Sequence, residues 1–452
     1  MLQQDADELS FGFFPHRAVV VQRHPGQLSS DAGLLPIREF DDRWGYTRRM
    51  VACLADSRTA PDHTVASMLQ QRLYGILADY EDCNDHDALR DDPIFKLVAG
   101  KLPEDDPLAS QPTLSRFENA VTIPTLWKLL EFLVDTGVER LRQHHGGRLP
   151  DSLILDLDPT DDATHGHQQL SLFHGYYEQH QYFPILISEP TTQHVFYTHL
   201  RPGAAHAALG ADENLMFVVD RLRQARPDIA IHARGDSGFG VPWMYDVCEE
   251  HGVSYTFGIG GNSRLRSHAQ GLLDQAVAQF EQTQEKQRLF TAFSYRARSW
   301  DHHRTIVAKA ECHQQGTNLR FIVTSLPVTS IDDPQRLYDD YIQRGESEHR
   351  MDELKNGLHM DRLSCHRFMA NFWRLLLHTA AYNLLNALRD HQEIPEELRH
   401  AQPATWRSKL IKVAATVIAS TRRVLIQLAG NWPFLDFYRA VARRASLMPA
   451  GP

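Results

Sequence analysis

The segment YIQRGESEHRMDELK, residues 341–355, carries side chains that could act on phosphate groups. On a helix with ~100° per residue, Arg344, Glu348 and Lys355 fall within about 60° of Tyr341. This face therefore combines a phenol, a guanidinium, a carboxylate and an ammonium group. The two cationic side chains could hold phosphate oxygens beside the acid.

Two apolar runs that are typical of strands supply further acids. LILDLDPT carries Asp156 and Asp158, and IAIHARGD ends with Asp236. Side chains at i and i+2 share one side of a strand, so their facing does not separate Asp156 from Asp158. On the helix, Asp352 shares the face of Glu348, so helical geometry does not separate these two acids either.

Three carboxylates from distant parts of the chain could converge at the carboxyl ends of strands, where open α/β sheets bind ligands. Hard divalent cations such as Mg²⁺ prefer oxygen ligands. Two such ions stabilise the attacking and leaving oxygens of a phosphoryl transfer. The alternative is structural, because an acid at a strand end can cap the following helix, and Asp236 precedes the turn SGFG.

The order of strand-like and helix-like segments predicts an α/β protein with several regions. Strands begin to alternate with helices at about residue 153, and β-type runs without helices follow at 285–327. The predicted regions are a mainly helical N-terminal region (1–150), the first part of the core (151–262), a β-rich insertion (263–328), a core helix (329–360) and a helical, basic C-terminal region (361–452).

Composition is that of an ordinary globular protein, but the charge is unevenly distributed. The net charge is −10, whereas residues 361–452 carry 13 Lys+Arg and 6 Asp+Glu, a net charge of +7 that leaves −17 for residues 1–360. A basic C-terminal segment on an acidic body suggests polarity of function. Five widely spaced cysteines without a CxxC pair are typical of a reducing cytoplasm and predict no zinc site.

The pattern Y-x2-R-x3-E-x6-K over residues 341–355 resembles in full the YREK signature of DDE transposases of bacterial insertion sequences. LDLDPTDDATHGHQQLSLFHGYYEQHQYFP (155–184) and HARGDSGFG (232–240) resemble the first- and second-aspartate blocks of the insertion-sequence family numbered thirteen-eighty. YEDCNDHDALRDDP and ANFWRLLLHTAAYNLL resemble its N- and C-terminal regions. The resemblance extends from about residue 40 onward.

This resemblance implies an α/β fold with an RNase H-like catalytic core interrupted by a β-strand insertion. It implies Asp158, Asp236 and Glu348 as the acids that bind Mg²⁺, for which Mn²⁺ can substitute. The family pattern places a small residue and Thr soon after the first acid, as in DPT here, which favours Asp158 while Asp156 remains a competitor.

The resemblance also implies that Tyr341, Arg344 and Lys355 contact DNA phosphates near the cleaved end. One departure from the family pattern is Glu346-Ser347, where Gln-Ala often precedes the glutamate. On the helical wheel Glu346 points away from the predicted site.

The resulting prediction is a DNA transposase of the bacterial cytoplasm, associated with the nucleoid when bound to DNA. It would bind terminal inverted repeats, mainly through residues 1–150 and partly through the basic tail, and act as at least a dimer on two ends. Water activated by two metal ions would cut the 3′ strand, and the freed 3′-OH would attack target DNA. The alternatives are a transposase-derived non-catalytic DNA-binding protein and a metal-dependent nuclease without strand transfer.

Overall fold

The computed structural model describes residues 8–14 and 16–448. The largest element of the fold is a mixed sheet of eight strands. Smaller sheets of two or three strands lie outside it. The fold is therefore α/β, as the alternation of strand-like and helix-like segments predicts.

Helices dominate the N-terminal part from Leu34 to His144, after three short strands. Its helices begin at clear sequence signals: the Thr64 hydroxyl accepts the backbone N–H of Ser67, and Thr122 caps a helix with Pro124 in its first turn. The elements are β1 (Glu8–Phe11), β2 (Val19–Gln22), β3 (Gln27–Ser29), α1 (Leu34–Trp44), α2 (Tyr46–Ala52), α3 (Val65–Leu77), α4 (His86–Leu89), α5 (Pro93–Val98), α6 (Gln111–Asn119) and α7 (Ile123–His144).

The following part of the chain begins with six successive strands, after which helices alternate with strands. In the first core strand Leu153, Leu155 and Leu157 are buried, and the alternation of a strand puts Asp156 and Asp158 on its opposite face. The elements are β4 (Ser152–Pro159), β5 (Asp162–Ala163), β6 (Leu172–His174), β7 (Gln179–Tyr182), β8 (Ile185–Ser188), β9 (Val195–His199), α8 (Ala211–Ala225), β10 (Ala230–Gly235), α9 (Pro242–Glu250) and β11 (Ser254–Ile259).

The large sheet has antiparallel strands on one side of β4 and two parallel strands, β10 and β11, next to it on the other. β8 pairs antiparallel with β4, and β9 pairs antiparallel with β8. β10 pairs parallel with both β4 and β11. The helix α8 lies in the connection from β9 to β10, and α9 lies in the connection between the parallel strands β10 and β11.

The next segment adds α10 (Ser263–Thr283), β12 (Gln287–Tyr295), β13 (Arg304–His313) and β14 (Gly316–Thr324). The strands are antiparallel, and β14 pairs with β11, so they extend the large sheet. The prediction of a β-rich segment is wrong over 263–283. Asn262 caps this helix, and its buried residues Leu265, Ala269 and Ala276 recur at helical spacing.

The segment that carries the YREK pattern is helical from Asp333 to Gly357, but it is not a uniform α-helix. α11 (Asp333–Ile342) is followed by a 3₁₀ turn at Gln343–Gly345, then by α12 (Glu346–Asp352) and a π turn at Glu353–Gly357. Both turns change the direction in which the following side chains point, relative to an ideal helix.

The C-terminal part contains α13 (Phe368–Arg389), α14 (Glu396–Arg399), α15 (Pro403–Trp406), β15 (Ala415–Ser420), β16 (Arg423–Leu428) and α16 (Leu435–Leu447). The prediction that this region is helical is wrong over 415–428. There β15 pairs with β16 and with the distant β3, a long-range pairing that favours strand over helix. In the described part of the chain, every helix is too short or too polar to traverse a lipid bilayer.

Candidate active site

Two of the predicted acids lie side by side at the carboxyl ends of adjacent parallel strands. Gly235, the last residue of β10, is the register partner of Leu157 in β4. The residues that follow these two partners are Asp236 and Asp158, so the two aspartates reach the same level of the sheet. Neighbouring strands lie ~4.8 Å apart, which places the two backbones close together.

The carboxylate of Asp158 is almost buried and has a cationic partner. The Arg344 guanidinium donates to its Oδ1 at 2.8 Å. Burial raises the pKa of Asp158 to about 6, and the positive charge of Arg344 opposes this shift. Asp158 is thus a carboxylate whose negative charge is costly in the free protein and would be stabilised by additional positive charge.

Asp236 is partly exposed and begins the turn that leaves the sheet. Its Oδ1 accepts the backbone N–H of Gly238 at 2.8 Å. Burial lowers the pKa of Arg344, but the negative charges of Asp158 and Asp236, together with the nearby Tyr341 hydroxyl, outweigh burial and raise it. Arg344 therefore lies in the field of both aspartates, and its guanidinium is 5.8 Å from the centre of the Tyr341 ring.

A glycine on β11 allows Tyr341 to approach this turn. A Cβ added to Gly258 would lie 2.8 Å from the Tyr341 hydroxyl, 2.8 Å from the Ser237 nitrogen and 3.1 Å from the Asp236 carbonyl carbon. We expect Gly258→Ala to lower the free energy of unfolding by about 1–3 kcal/mol, because backbone must move to admit the methyl group. Urea denaturation measures this change.

A second glycine provides the control for that prediction. A Cβ on Gly271, which lies in α10, has no other heavy atom within 4 Å. Gly271→Ala should stabilise the protein by up to about 1 kcal/mol, because alanine favours the helix. A Gly258→Ala protein that is as stable as wild type would contradict the close approach of Tyr341.

The third predicted acid, Glu348, lies on α12, and its carboxylate is not clustered with those of the two aspartates. Its side chain is exposed and makes no hydrogen bond or ion pair with any residue that the structure describes. The buried positions of this helix are Ser347 and Arg350. The structure thus brings together Asp158, Asp236, Arg344 and Tyr341, while Glu348 projects into solvent one position from Ser347.

Lys355, the last residue of the YREK pattern, contacts the loop that follows β4. Its Nζ donates to the backbone oxygen of Asp161 at 2.9 Å and to the Asp161 carboxylate at 3.0 Å. The lysine is therefore held close to the strand that carries Asp158. Asp161 was not predicted as a partner of Lys355, although it lies only three residues after Asp158.

Asp156, the competitor for the first acid, is fully buried and accepts hydrogen bonds from two arginines. Arg234 contacts both of its oxygens, and Arg350 contacts Oδ2 at 2.8 Å. Its charge is already balanced inside the protein. The sequence pattern did not identify Arg350, because it points away from the predicted helix face, and it assigned no role to Arg234.

The donor set of Asp158, Asp236 and Glu348 fits a hard divalent cation, because all the donors are carboxylate oxygens. The structure does not gather these oxygens within 4.8 Å of one another. Glu348, which has no described partner, is free to act as a ligand. Burial of Asp158 makes an additional positive charge beside it favourable.

A different group of potential ligands is more closely clustered in the described residues. One ligand atom each from Asp79, Glu81 and His359 lies within 4.8 Å of the others. Asp79, however, is paired with His359 at 3.0 Å and with Arg407 at 2.8 Å, and Glu81 is paired with Arg362. Basic side chains thus already neutralise this group, which lies outside the YREK segment.

Comparison with known proteins identifies the family. The family described as "Transposase DDE domain group 1" matches residues 11–450, almost the whole chain. No curated protein sequence matches. Among solved structures, the piggyBac transposase in a synaptic complex with hairpin DNA is similar at a TM-score of 0.42 and 10% identity, over 79% of this chain and 75% of that one. The match over residues 11–450 shows that the chain belongs to the DDE transposase domain family, group 1.

Proposed function

We propose that this chain is an active transposase of a bacterial insertion sequence, of the YREK group and the family numbered thirteen-eighty. It would bind the terminal inverted repeats of its element, cleave the ends and join the 3′-OH to target DNA. The family implies an enzyme that cuts and joins polynucleotides, and its members generally depend on a divalent metal. The level placement of Asp158 and Asp236 on adjacent strand ends, beside Arg344, is the observation that carries the proposal.

The core around these acids supports an RNase H-like assignment. An antiparallel series of strands, β9, β8 and β4, continues into the parallel strands β10 and β11 through the connection that contains α8. The segment with α10 and β12–β14 lies between the second aspartate and Glu348, which is where the resemblance to insertion-sequence transposases implies an insertion.

Asp158, Asp236 and Glu348 would hold Mg²⁺ or Mn²⁺. When bound, the metal supplies charge stabilisation for the attacking and leaving oxygens at phosphorus. We assign Asp158 rather than Asp156 to this role, because Asp156 already has two buried arginine partners.

The DNA contacts would come mainly from residues 1–150 and partly from the basic C-terminal region, together with the side chains near these acids. Tyr341, Arg344 and Lys355 lie near the two aspartates or the loop after β4, and they would contact phosphates of the cleaved end. Arg422 and Arg423 are exposed at the turn between β15 and β16, where duplex DNA could reach them. Binding should weaken steeply with salt, because phosphate contacts release counterions. A homodimer would hold two ends together.

Cleavage of the element's own terminal repeat tests this proposal. The inverted repeats are read from the DNA that flanks the gene, and an end-labelled duplex is incubated with wild-type protein and Mg²⁺ or Mn²⁺. A scrambled duplex and a reaction with chelator are the controls. We expect nicking at the repeat end that requires the metal, followed by joined products when plasmid target DNA is added.

The other candidate functions give different outcomes in the same experiment. Metal-dependent nicking without joined product would indicate a nuclease that lacks strand transfer. Specific binding of the repeat without nicking would indicate a non-catalytic DNA-binding protein derived from a transposase. Equal cleavage of the scrambled duplex would contradict recognition of the terminal repeat.

A further inference from the structure

Each of the three proposed acids has a buried charged residue two positions away in the sequence. Asp156 precedes Asp158 by two residues, Arg234 precedes Asp236 by two, and Arg350 follows Glu348 by two. Their exposed fractions are 0% for Asp156, 2% for Arg234 and 4% for Arg350. We call these three side chains the charge network.

The network begins as a paired contact between two strands of the sheet. Arg234 and Asp156 are register partners on β10 and β4. The Nε and one terminal nitrogen of Arg234 donate to the two oxygens of Asp156 at 2.7 and 3.0 Å. Such a two-point contact fixes the orientation of both groups as well as their separation. The strands that end in Asp158 and Asp236 are thereby held in register.

The charge network also forms hydrogen bonds with the helices α11 and α12. Arg234 also donates to the backbone oxygen of Asp340 in α11 at 2.7 Å. Arg350 of α12 donates to Asp156 Oδ2 at 2.8 Å and, through Nε, to the Ser188 hydroxyl of β8 at 3.1 Å. One buried carboxylate therefore connects both acid-bearing strands to the helix that carries Glu348.

The hydrogen bonds of Arg350 matter for the placement of α12, because this helix lies between a 3₁₀ turn and a π turn. Either turn can change the direction of the short helix between them. Without Arg350, Asp156 and Arg234 remain a neutral pair within the sheet, so loss of this one side chain removes the hydrogen bonds from α12 to Asp156 and Ser188 without leaving an unbalanced carboxylate.

We propose that the charge network positions the three acids relative to one another, and that Arg350 is the positioning residue for Glu348. This inference rests on the proposed function, because it assigns the purpose of the network to a shared metal site. Arg350 is buried, so its contribution acts through the placement of α12 and not through contact with DNA. If Arg350 had a purely structural role, its loss would lower the stability of the protein. It would not weaken metal binding while leaving DNA affinity unchanged.

The decisive variant is Arg350→Gln, which removes the guanidinium and keeps a polar side chain. Its matched control is Arg336→Gln, on the exposed side of α11, where the arginine pairs with Asp333 near the helix start. Mn²⁺ binding is followed by electron paramagnetic resonance, with and without terminal-repeat duplex. Asp236→Asn identifies the signal that belongs to the proposed acids, because it should remove that ion.

We expect Arg350→Gln to bind this Mn²⁺ at least about tenfold more weakly and to nick saturating DNA about 10²-fold more slowly, since small misplacements of reacting groups have effects of this size. Its affinity for the duplex should stay within about twofold of wild type, because the buried residue meets no phosphate. Arg336→Gln should match wild type in Mn²⁺ affinity.

Wild-type Mn²⁺ affinity in Arg350→Gln would overturn the inference. If wild type binds Mn²⁺ but nicks no DNA, the proposed function is contradicted. The Mn²⁺ affinities of wild type and Arg350→Gln still test the positioning role in that case. A wild type that binds no Mn²⁺ at these acids would contradict both. If circular dichroism shows that Arg350→Gln is unfolded, Arg350→Lys decides: weaker Mn²⁺ binding supports the positioning role, and unchanged binding overturns it.

Discussion

Glu348→Gln is expected to slow metal-dependent nicking of the terminal repeat about 10³-fold while leaving DNA binding intact. The glutamine keeps the size of the side chain and removes the charge of one proposed metal ligand. A loss of roughly 4 kcal/mol of transition-state stabilisation corresponds to a rate about 10³-fold lower. The exposed side chain has no described partner, so the fold should not change. Single-turnover nicking at saturating DNA, together with a gel-shift titration, measures both quantities.

A neighbouring acid on the same helix is the matched control for this experiment. Asp352 shares the predicted face of the helix, but its carboxylate accepts hydrogen bonds from Asn356 at 2.7 Å and from Gln402 at 3.2 Å. Asp352→Asn should therefore nick DNA at nearly the wild-type rate. Full activity in Glu348→Gln, with loss of activity in Asp352→Asn, would transfer the role of third acid to Asp352.

Glu118→Gln is expected to lower the free energy of unfolding by about 3–5 kcal/mol, because it leaves buried positive charge without a partner. Glu118 is 1% exposed, and its carboxylate accepts from Arg72 Nε at 2.7 Å. Burial raises the pKa of Glu118, but the charges of Arg72 and Arg374 outweigh burial and lower it. These three residues lie on α6, α3 and α13, so they join the N-terminal helices to the C-terminal part.

Urea denaturation of wild type, Glu118→Gln and Asp135→Asn tests this expectation. Asp135 pairs with Arg221 at 2.9 Å with its own side chain 60% exposed, and such surface pairs contribute little. The two variants remove the same charge in different surroundings. Similar losses in both would show that burial of the Arg72–Glu118 pair does not matter for stability. Because the pKa of Glu118 is lowered, its contribution is present at neutral pH and is lost as the pH falls through its value in the folded protein.

Elements with strong local signals were predictable from the sequence. The leucines of β4 alternate with its two aspartates, and Thr64 and Thr122 begin helices by accepting backbone N–H groups. The strands β15 and β16 were predicted as helix, because their partner β3 lies almost 400 residues earlier in the chain and local propensity does not include that pairing.

The proposed site was predictable in part for the same physical reason. The spacing of residues placed Tyr341 and Arg344 on one face, and the structure puts them close to Asp236 and Asp158. The exposed direction of Glu348 was not predictable, since an ideal helix gives no sign of the 3₁₀ turn before it. The contact between Arg234 and Asp156 depends on strand register, which is a property of two segments and not of either one alone.

The ion pair between Arg344 and Asp158 would couple the binding of DNA to the binding of a divalent cation. One guanidinium cannot fully serve both the carboxylate and an incoming DNA phosphate. When a phosphate takes Arg344, Asp158 loses its internal counter-charge and gains affinity for a divalent cation. Linkage requires the same factor in the opposite direction, so a bound cation would release Arg344 for DNA. DNA and metal would then bind cooperatively, and the free protein would keep Asp158, a proposed metal ligand, paired with Arg344 until DNA is present.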